Sequence, residues 1–345
     1  MESGCETNNN IKTLAVIDLE TNGLPWEQFN VCSITELSVY AFSAQCLTDK
    51  AAENHANKNA KSSCGGMDGI ADLSKEIPDL PRVLHKLTLM VNPQRMIHPE
   101  SERITGLCNE MLCNEASFDI NTANCLLGFL ERLEKPICFV AHNGWSFDYP
   151  VIRHVFEKIN MTVPSTIYCV DSLKAFIEMD EKQYEMANIA KTLIESPKSD
   201  ENISKACSEE ITKIATKDPL EHNAAIDWRK VNETTPHRKT KVEKRKREVE
   251  TTPCKNQVKR TTGLKVRREL FSKPFQPQSK YPPKGKYQLG NIYERVFGKP
   301  CDNLHRAESD VMILTKLILH YGLDFLAYAE ERKITFDQVK KLGKF

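Results

Sequence analysis

Residues 13–19, TLAVIDL, mix apolar and β-branched positions in the pattern of a strand buried for most of its length. Similar runs predict strands over residues 34–42, 83–91, 137–141 and 166–170. Between them the apolar spacing turns helical. Leu126, Leu127, Leu130 and Leu133 predict a helix over residues 121–133, which Pro136 separates from the next strand. Val151, Ile152, Val155, Phe156 and Ile159 form the apolar stripe of a helix starting near Phe147, and another helix is expected over residues 171–179. Strands alternating with helices in this way indicate an α/β domain. Residues 48–75, rich in Ala, Asn, Lys, Ser and Gly, read as a long loop.

Beyond Pro197 the periodicity fades, and from Arg229 the chain is dominated by Lys, Arg, Thr and Pro. Order is expected to resume near Tyr287, with helices over residues 289–297 and 310–321. The expected organisation is one domain in two parts, residues 11–185 and 286–345, around a basic and mostly disordered insertion over residues 186–285. The net charge of +1 conceals this division. Residues 229–286 hold 19 Lys and Arg against 5 Asp and Glu, a balance of +14, and the rest of the chain carries 29 against 42, or −13. An acidic body with a basic segment points to an anionic polymer as partner. The twelve cysteines show no C-x2-C pairs, which suggests free thiols in a reducing compartment. The polar, acidic first ten residues and the lack of a long apolar run lead us to expect a soluble intracellular protein with no membrane contact.

Three acidic stretches carry candidate chemistry. In VIDLETNGL, Asp18 and Glu20 are two apart on a strand and so share a face, where their charges repel. A shared hard cation, Mg2+ or Mn2+, would relieve the repulsion, although D-x-E also arises by chance in surface strands. In FVAHNGWSFDYPVI, Asp148 opens a helix, a position where an acid also serves simply as a helix-dipole partner. In LHRAESDVMIL, His305 precedes a helix and Asp310 lies within its first turns, and a histidine there is commonly a cap or a surface residue. Each stretch alone has a bland explanation; their combination is specific.

DLETNGLP, AHNGWSFDYP and HRAESDV together resemble the three motifs of the DEDDh exonucleases, and among them the TREX-type three-prime repair exonucleases most closely. ITGLCNEML, YCVDSLKAF and YQLGNIYERVFG resemble intervening segments of the same family, so the resemblance spans roughly residues 13–179 and 287–319 in the family's order. It implies an RNase H-like α/β fold with a central mixed five-stranded sheet flanked by helices. It further implies that Asp18, Glu20, Asp148 and Asp310 hold two Mg2+ ions, with Mn2+ as a substitute, and that His305 is the general base. Thr21, Leu24, Ile104 and Phe147, together with Glu20 and Asp310, would contact the terminal nucleotide. The implied activity is 3'-to-5' exonucleolysis of DNA at single-stranded or frayed 3' ends, releasing nucleoside 5'-monophosphates, by a homodimer paired through edge strands. RNA as substrate, or a nucleic-acid-binding scaffold, are the alternatives.

The sequence departs from that family in three places. Ser146 and Phe147 stand where TREX enzymes carry Arg-Tyr or similar, SKEIPDLPRV replaces a Pro-rich loop, and about a hundred residues separate the second and third motifs. For the basic run we expect an import signal around Lys244 to Arg247, a nucleic-acid arm, or a solvated linker. The corresponding location is nucleus, cytoplasm or both.

Overall fold

The computed structural model describes residues 10–25, 28, 31–49, 76–195, 271 and 285–342. Six strands form one mixed sheet: β1 (Thr13–Thr21), β2 (Ile34–Ser43), β3 (His85–Met90), β4 (Ile137–Ala141), β5 (Tyr168–Asp171) and β6 (Ile334–Thr335). Their spatial order is β3-β2-β1-β4-β5-β6. β1 pairs antiparallel with β2 and parallel with β4; β3 and β6 are antiparallel edges. The antiparallel meander joined through β1 to a parallel β4-β5 pair is the ribonuclease H-like arrangement. The sixth strand corrects the expected five. It is two residues long, too short to give a periodic signal, and is held by pairing with Tyr168 and Cys169.

Period-2 alternation sorts the strands onto two cores. Leu14 and Val16 of β1, Tyr40 and Phe42 of β2, and Cys138 and Val140 of β4 face one cluster. Ala15, Ile17 and Leu19, Val39 and Ala41, and Phe139 face the other. The second core is covered by helices α3 (Ile120–Glu131) and α4 (Asp148–Lys158). The first is covered by α5 (Ser172–Glu195), α6 (Leu289–Phe297), α7 (Ala307–Tyr321) and α8 (Leu323–Arg332). Two short helices, α1 (Pro99–Thr105) and α2 (Asn109–Leu112), follow β3 and carry no long apolar stripe. No single described helix is long and apolar enough to cross a membrane.

Several expected boundaries move. Helix α5 continues to Glu195, sixteen residues past Met179 and beyond the expected end of the first part at residue 185. Helix α7 begins at Ala307, three residues before Asp310. The predicted loop over residues 48–75 lies outside the described residues from position 50 onward, as does nearly all of the insertion, including Lys244 to Arg247. One insertion residue is part of the core. Phe271 is buried and meets Tyr328 of α8 edge-on, with ring centroids 5.7 Å apart.

Deleting the ring of a buried Phe costs about 3 kcal/mol or more. Phe271→Ala is therefore expected to lower the chemical-denaturation stability of the whole domain by about that amount. An unchanged midpoint would show that the insertion is not anchored to the core through this ring.

Candidate active site

The face of β1 that carries Leu14 and Val16 continues through Asp18 to Glu20, so the strand's own alternation presents both carboxylates beyond the apolar core beneath α7. Opposite them in the β2 register stand Ser38, facing Asp18, and Glu36, facing Glu20. The register slips between Glu20 and Thr21, a bulge at the point where the sheet gives way to the site.

Asp148 arrives from the β4 side. The loop between Ala141 and Asp148 is fixed by three devices. Asp171, at the end of β5, accepts backbone N–H groups from Asn143 (3.1 Å), Trp145 (3.2 Å) and Leu173 (2.9 Å). His142 lies between the Ser172 hydroxyl (3.0 Å) and the Tyr287 carbonyl (2.9 Å). A carbonyl only accepts, so Nε2 carries the proton and Nδ1 accepts from Ser172. Burial pushes this imidazole down to about 4, consistent with the neutral ring the bonds require. Gly144 admits no side chain: a Cβ there would come within 2.7 Å of both the Ala141 Cβ and the Tyr149 ring. Tyr149 is in turn pinned by its hydroxyl, which donates to the carbonyls of Val170 (2.6 Å) and Phe139 (3.1 Å).

Asp310 comes from α7. Its Oδ2 accepts the backbone N–H of His305 at 3.0 Å, holding that residue with φ of +66°, in the left-handed region that non-glycine residues seldom adopt. The His305 side chain is exposed. Ligand atoms of Glu20, His305 and Asp310 lie within 4.8 Å of one another.

The electrostatics show how closely the acids converge. Burial raises Asp18 well above the usual carboxylate range, and the charges of Asp148, Asp310, Glu20 and Glu36 raise it further. Glu20 is pushed up to about 8, first by burial and then by Asp310, Glu36 and Asp148. Burial and the Asp171 and Asp310 charges raise Asp148 to about 8, against opposing amides of Asp148 itself and Leu19. Burial lifts Asp310 to about 6, with Glu36 adding to the rise and the His305 amide opposing it. Buried Oδ1 atoms of Asp148 and Asp310 have no hydrogen-bond partner among the described residues. A set of hard, mutually repelling oxygens with two of them buried and unpartnered fits a divalent cation of the Mg2+ type.

The four acids named from sequence are thus brought together, with His305 at their open side. Of the other sequence-named residues, Thr21 is buried and its hydroxyl donates to the Gly23 carbonyl at 2.9 Å. Leu24 and Ile104 are 37% and 38% exposed, so neither is a core residue. Phe147 is half-buried at the start of α4 and packs against the second core. Sequence reasoning missed Glu36, Asp171 and His142. Glu36 carried a signal, a lone acid inside the apolar run ITELSVYAF, but its partner became visible only with the β1–β2 register.

An exonuclease family profile, RNase_T, matches residues 82–227, a span that contains Asp148 and lies between the other site acids. Three prime repair exonuclease 2 of Mus musculus is 34% identical over 172 residues, which cover 49% of this chain and 63% of the relative. Three-prime repair exonuclease 1 of Bos taurus is 30% identical over 168 residues, covering 48% of this chain and 47% of the relative. The matches therefore span about half to under two thirds of the length of these curated relatives. Among solved structures, cell-death related nuclease 4 (CRN-4) shares 12% identity at a TM-score of 0.34, over 62% of this chain and 54% of that one. The zinc-bound E. coli ExoI–ssDNA complex shares 13% at 0.32, over 52% and 30%. In its family profile and its curated relatives, the chain is similar over about half its length to exonucleases of the three prime repair type.

Proposed function

We propose that the chain hydrolyses the terminal phosphodiester bond at 3' ends of DNA, using divalent cations held by Asp18, Glu20, Asp148 and Asp310. The observation that carries this reading is the convergence of those acids, two with buried unpartnered oxygens, beside an exposed histidine. Mg2+, or Mn2+ in its place, supplies positive charge against the phosphate and eases deprotonation of an attacking water. His305, exposed next to Glu20 and Asp310, takes that water's proton, and its strained backbone and the bond from its amide to Asp310 keep the ring at the site's edge. Attack at phosphorus with departure of the 3'-oxygen leaves the phosphate on the 5' side of the released residue, so the product is a nucleoside 5'-monophosphate. Leu24 and Ile104 offer exposed apolar surface to the terminal base, and Phe147 stands next to Asp148 where the phosphate would lie.

The decisive measurement is degradation of end-labelled DNA and RNA oligonucleotides with and without Mg2+. Wild type should shorten DNA from the 3' end only when the cation is present, and Asp18→Asn should lose at least about a hundredfold in rate while still binding the oligonucleotide. Faster trimming of RNA would transfer the substrate assignment to RNA, and undiminished activity in Asp18→Asn would remove the assignment of the acids.

The raised carboxylates set a second expectation. In the unfolded chain these acids release protons near pH 4, whereas in the fold Glu20, Asp148 and Asp310 hold theirs up to about 8, 8 and 6. The folded state binds more protons across that window, so in chelator the carboxylates withdraw stability as pH rises from about 4 to about 8. Asp18→Asn should melt higher than wild type in chelator, with the gap wider at pH 8 than at pH 5, and Mg2+ should stabilise wild type most at pH 8. A gap that narrows as pH rises would contradict the clustering of charge.

The basic run, residues 229–286, is proposed as an arm for the phosphate backbone, on the strength of its +14 balance. Replacing the four cations at 244–247 with alanine should weaken binding of single-stranded DNA at low salt and flatten its salt dependence, with the chemical step unchanged. Binding that keeps the wild-type salt slope would refute the arm.

A further inference from the structure

The acid that the motifs leave unassigned is Glu36. It lies on the same face of the sheet as Asp18 and Glu20, directly across the β1–β2 ladder from Glu20, and is only 8% exposed. Placing a fifth carboxylate there adds repulsion to an already charged site, and Glu36 is among the causes that raise Asp18, Glu20 and Asp310. A charge kept in so costly a place needs a compensating partner.

That partner is the start of α7. The first helical residue, Ala307, donates its backbone N–H to Glu36 Oε2 at 3.1 Å, across 271 positions of sequence. The helix cannot supply this cap itself, because its flanking residue is Arg306, which makes no side-chain cap bond and has no oxygen with which to make one. The amino end of a fifteen-residue helix carries roughly half a positive charge, which offsets the charge of Glu36. One helical turn further along the same helix is Asp310, and just before it is His305. A second contact reinforces the dock from the same face of β2: Tyr40 donates its hydroxyl to Glu308 at 2.7 Å and receives a bond from the Lys86 ammonium at 3.0 Å.

We propose that Glu36 is a positioning residue, which caps α7 across the sheet and thereby sets Asp310 and His305 in register with Asp18 and Glu20. It acts through the helix and does not itself hold the cation. Its Oε2 is committed to Ala307, whereas the buried carboxylate oxygens without a hydrogen-bond partner among the described residues belong to Asp148 and Asp310. The inference deepens the proposed nuclease reading and rests on it for its kinetic arm, while the cap has a readout of its own.

Glu36→Ala and Glu36→Gln distinguish the roles, since the glutamine keeps an acceptor oxygen for the Ala307 amide and loses only the charge. In the Mg2+-dependent nuclease assay, Glu36→Ala should lower kcat about ten- to a hundredfold and raise the half-saturating Mg2+ concentration, the usual scale for losing a group that orients ligands. KM for the oligonucleotide should stay within about threefold of wild type. Glu36→Gln should retain kcat within about threefold. Phe271→Ala, which destabilises the fold away from the site, serves as the control and should leave the half-saturating Mg2+ unchanged. In parallel, hydrogen exchange at the Ala307 amide should accelerate in Glu36→Ala and remain slow in Glu36→Gln. Equal kinetic damage in both variants would make Glu36 a ligand or charge donor and overturn the positioning role, as would wild-type kinetics or unchanged Ala307 exchange in Glu36→Ala. Absence of Mg2+-dependent cleavage in wild type would sink the nuclease reading instead, leaving the exchange result to decide the cap.

Discussion

The feature on which the rest depends is the forced proximity of like charges where water is scarce. Two unit charges about 5 Å apart at an effective dielectric near 20 repel by on the order of 3 kcal/mol, and this site gathers several such pairs. Burial is nonetheless the largest cause of every raised carboxylate here, ahead of mutual repulsion. The order of causes matters. A cation introduced among the acids relieves the repulsion and also supplies the solvation that burial removed, so its binding and the integrity of the site are linked quantities. The fold is consequently built around a place that is uncomfortable in the absence of positive charge, and the helix end at Ala307 supplies a permanent fraction of that charge to one acid, Glu36.

Holding such a site together requires anchors from both ends of the chain, since Asp18 and Asp310 are separated by nearly the whole sequence. The anchors are polar and partly buried. His142, in the loop that carries Asp148, reaches the carbonyl of Tyr287, near the start of the described residues 285–342. The Tyr287 hydroxyl donates to Asp180 at 2.9 Å, and Arg295 of α6 meets the same carboxylate at 3.1 Å. Near the chain's other end, the Ile11 amide donates to Glu330 of α8 at 2.7 Å, and Arg332 pairs with Glu178 of α5. Each of these contacts crosses more than a hundred positions. A length change within the insertion alters the loop to be closed, whose entropy grows only slowly with length, and leaves these joints intact.

What the sequence made legible follows the range of the physics involved. Alternation along β1 is local, so the shared face of Asp18 and Glu20 could be read directly, and the amphipathic stripes of α3 and α4 could be found within two or three residues of their ends. The order of the motifs carried the remaining acids through family resemblance. Three things escaped. The strand β6 is two residues long and exists through pairing alone. The extension of α5 to Glu195 passes through residues 182–191, KQYEMANIAK, whose half-exposed and exposed positions blur the stripe. The parts played by Glu36, Asp171 and His142 are contacts across 271, 28 and 145 positions, in which each partner is a backbone amide or carbonyl. Every residue possesses those groups, so no side-chain pattern could announce them.

On the proposed reading, the distribution of polar partners also bears on base preference. Discriminating among bases takes donors and acceptors fixed against a base edge, and at the end of β1 the polar side chains are already engaged within the protein. The Thr21 hydroxyl is given to Gly23, and the Asn22 side chain accepts from Ser33 and donates to the Met96 carbonyl. Asn22 also accepts the His98 amide through its own carbonyl at 2.7 Å, fastening the segment that leads into α1 beside the site. These bonds tie down the terminus of β1, while Leu24 and Ile104 are each more than a third exposed. Apolar contact with the face of a base is nearly indifferent to which base it is. On that reading, an end-trimming site built this way would advance through one nucleotide after another without a sequence at which it must stop, because the described polar groups of Thr21 and Asn22 are spent on holding the scaffold.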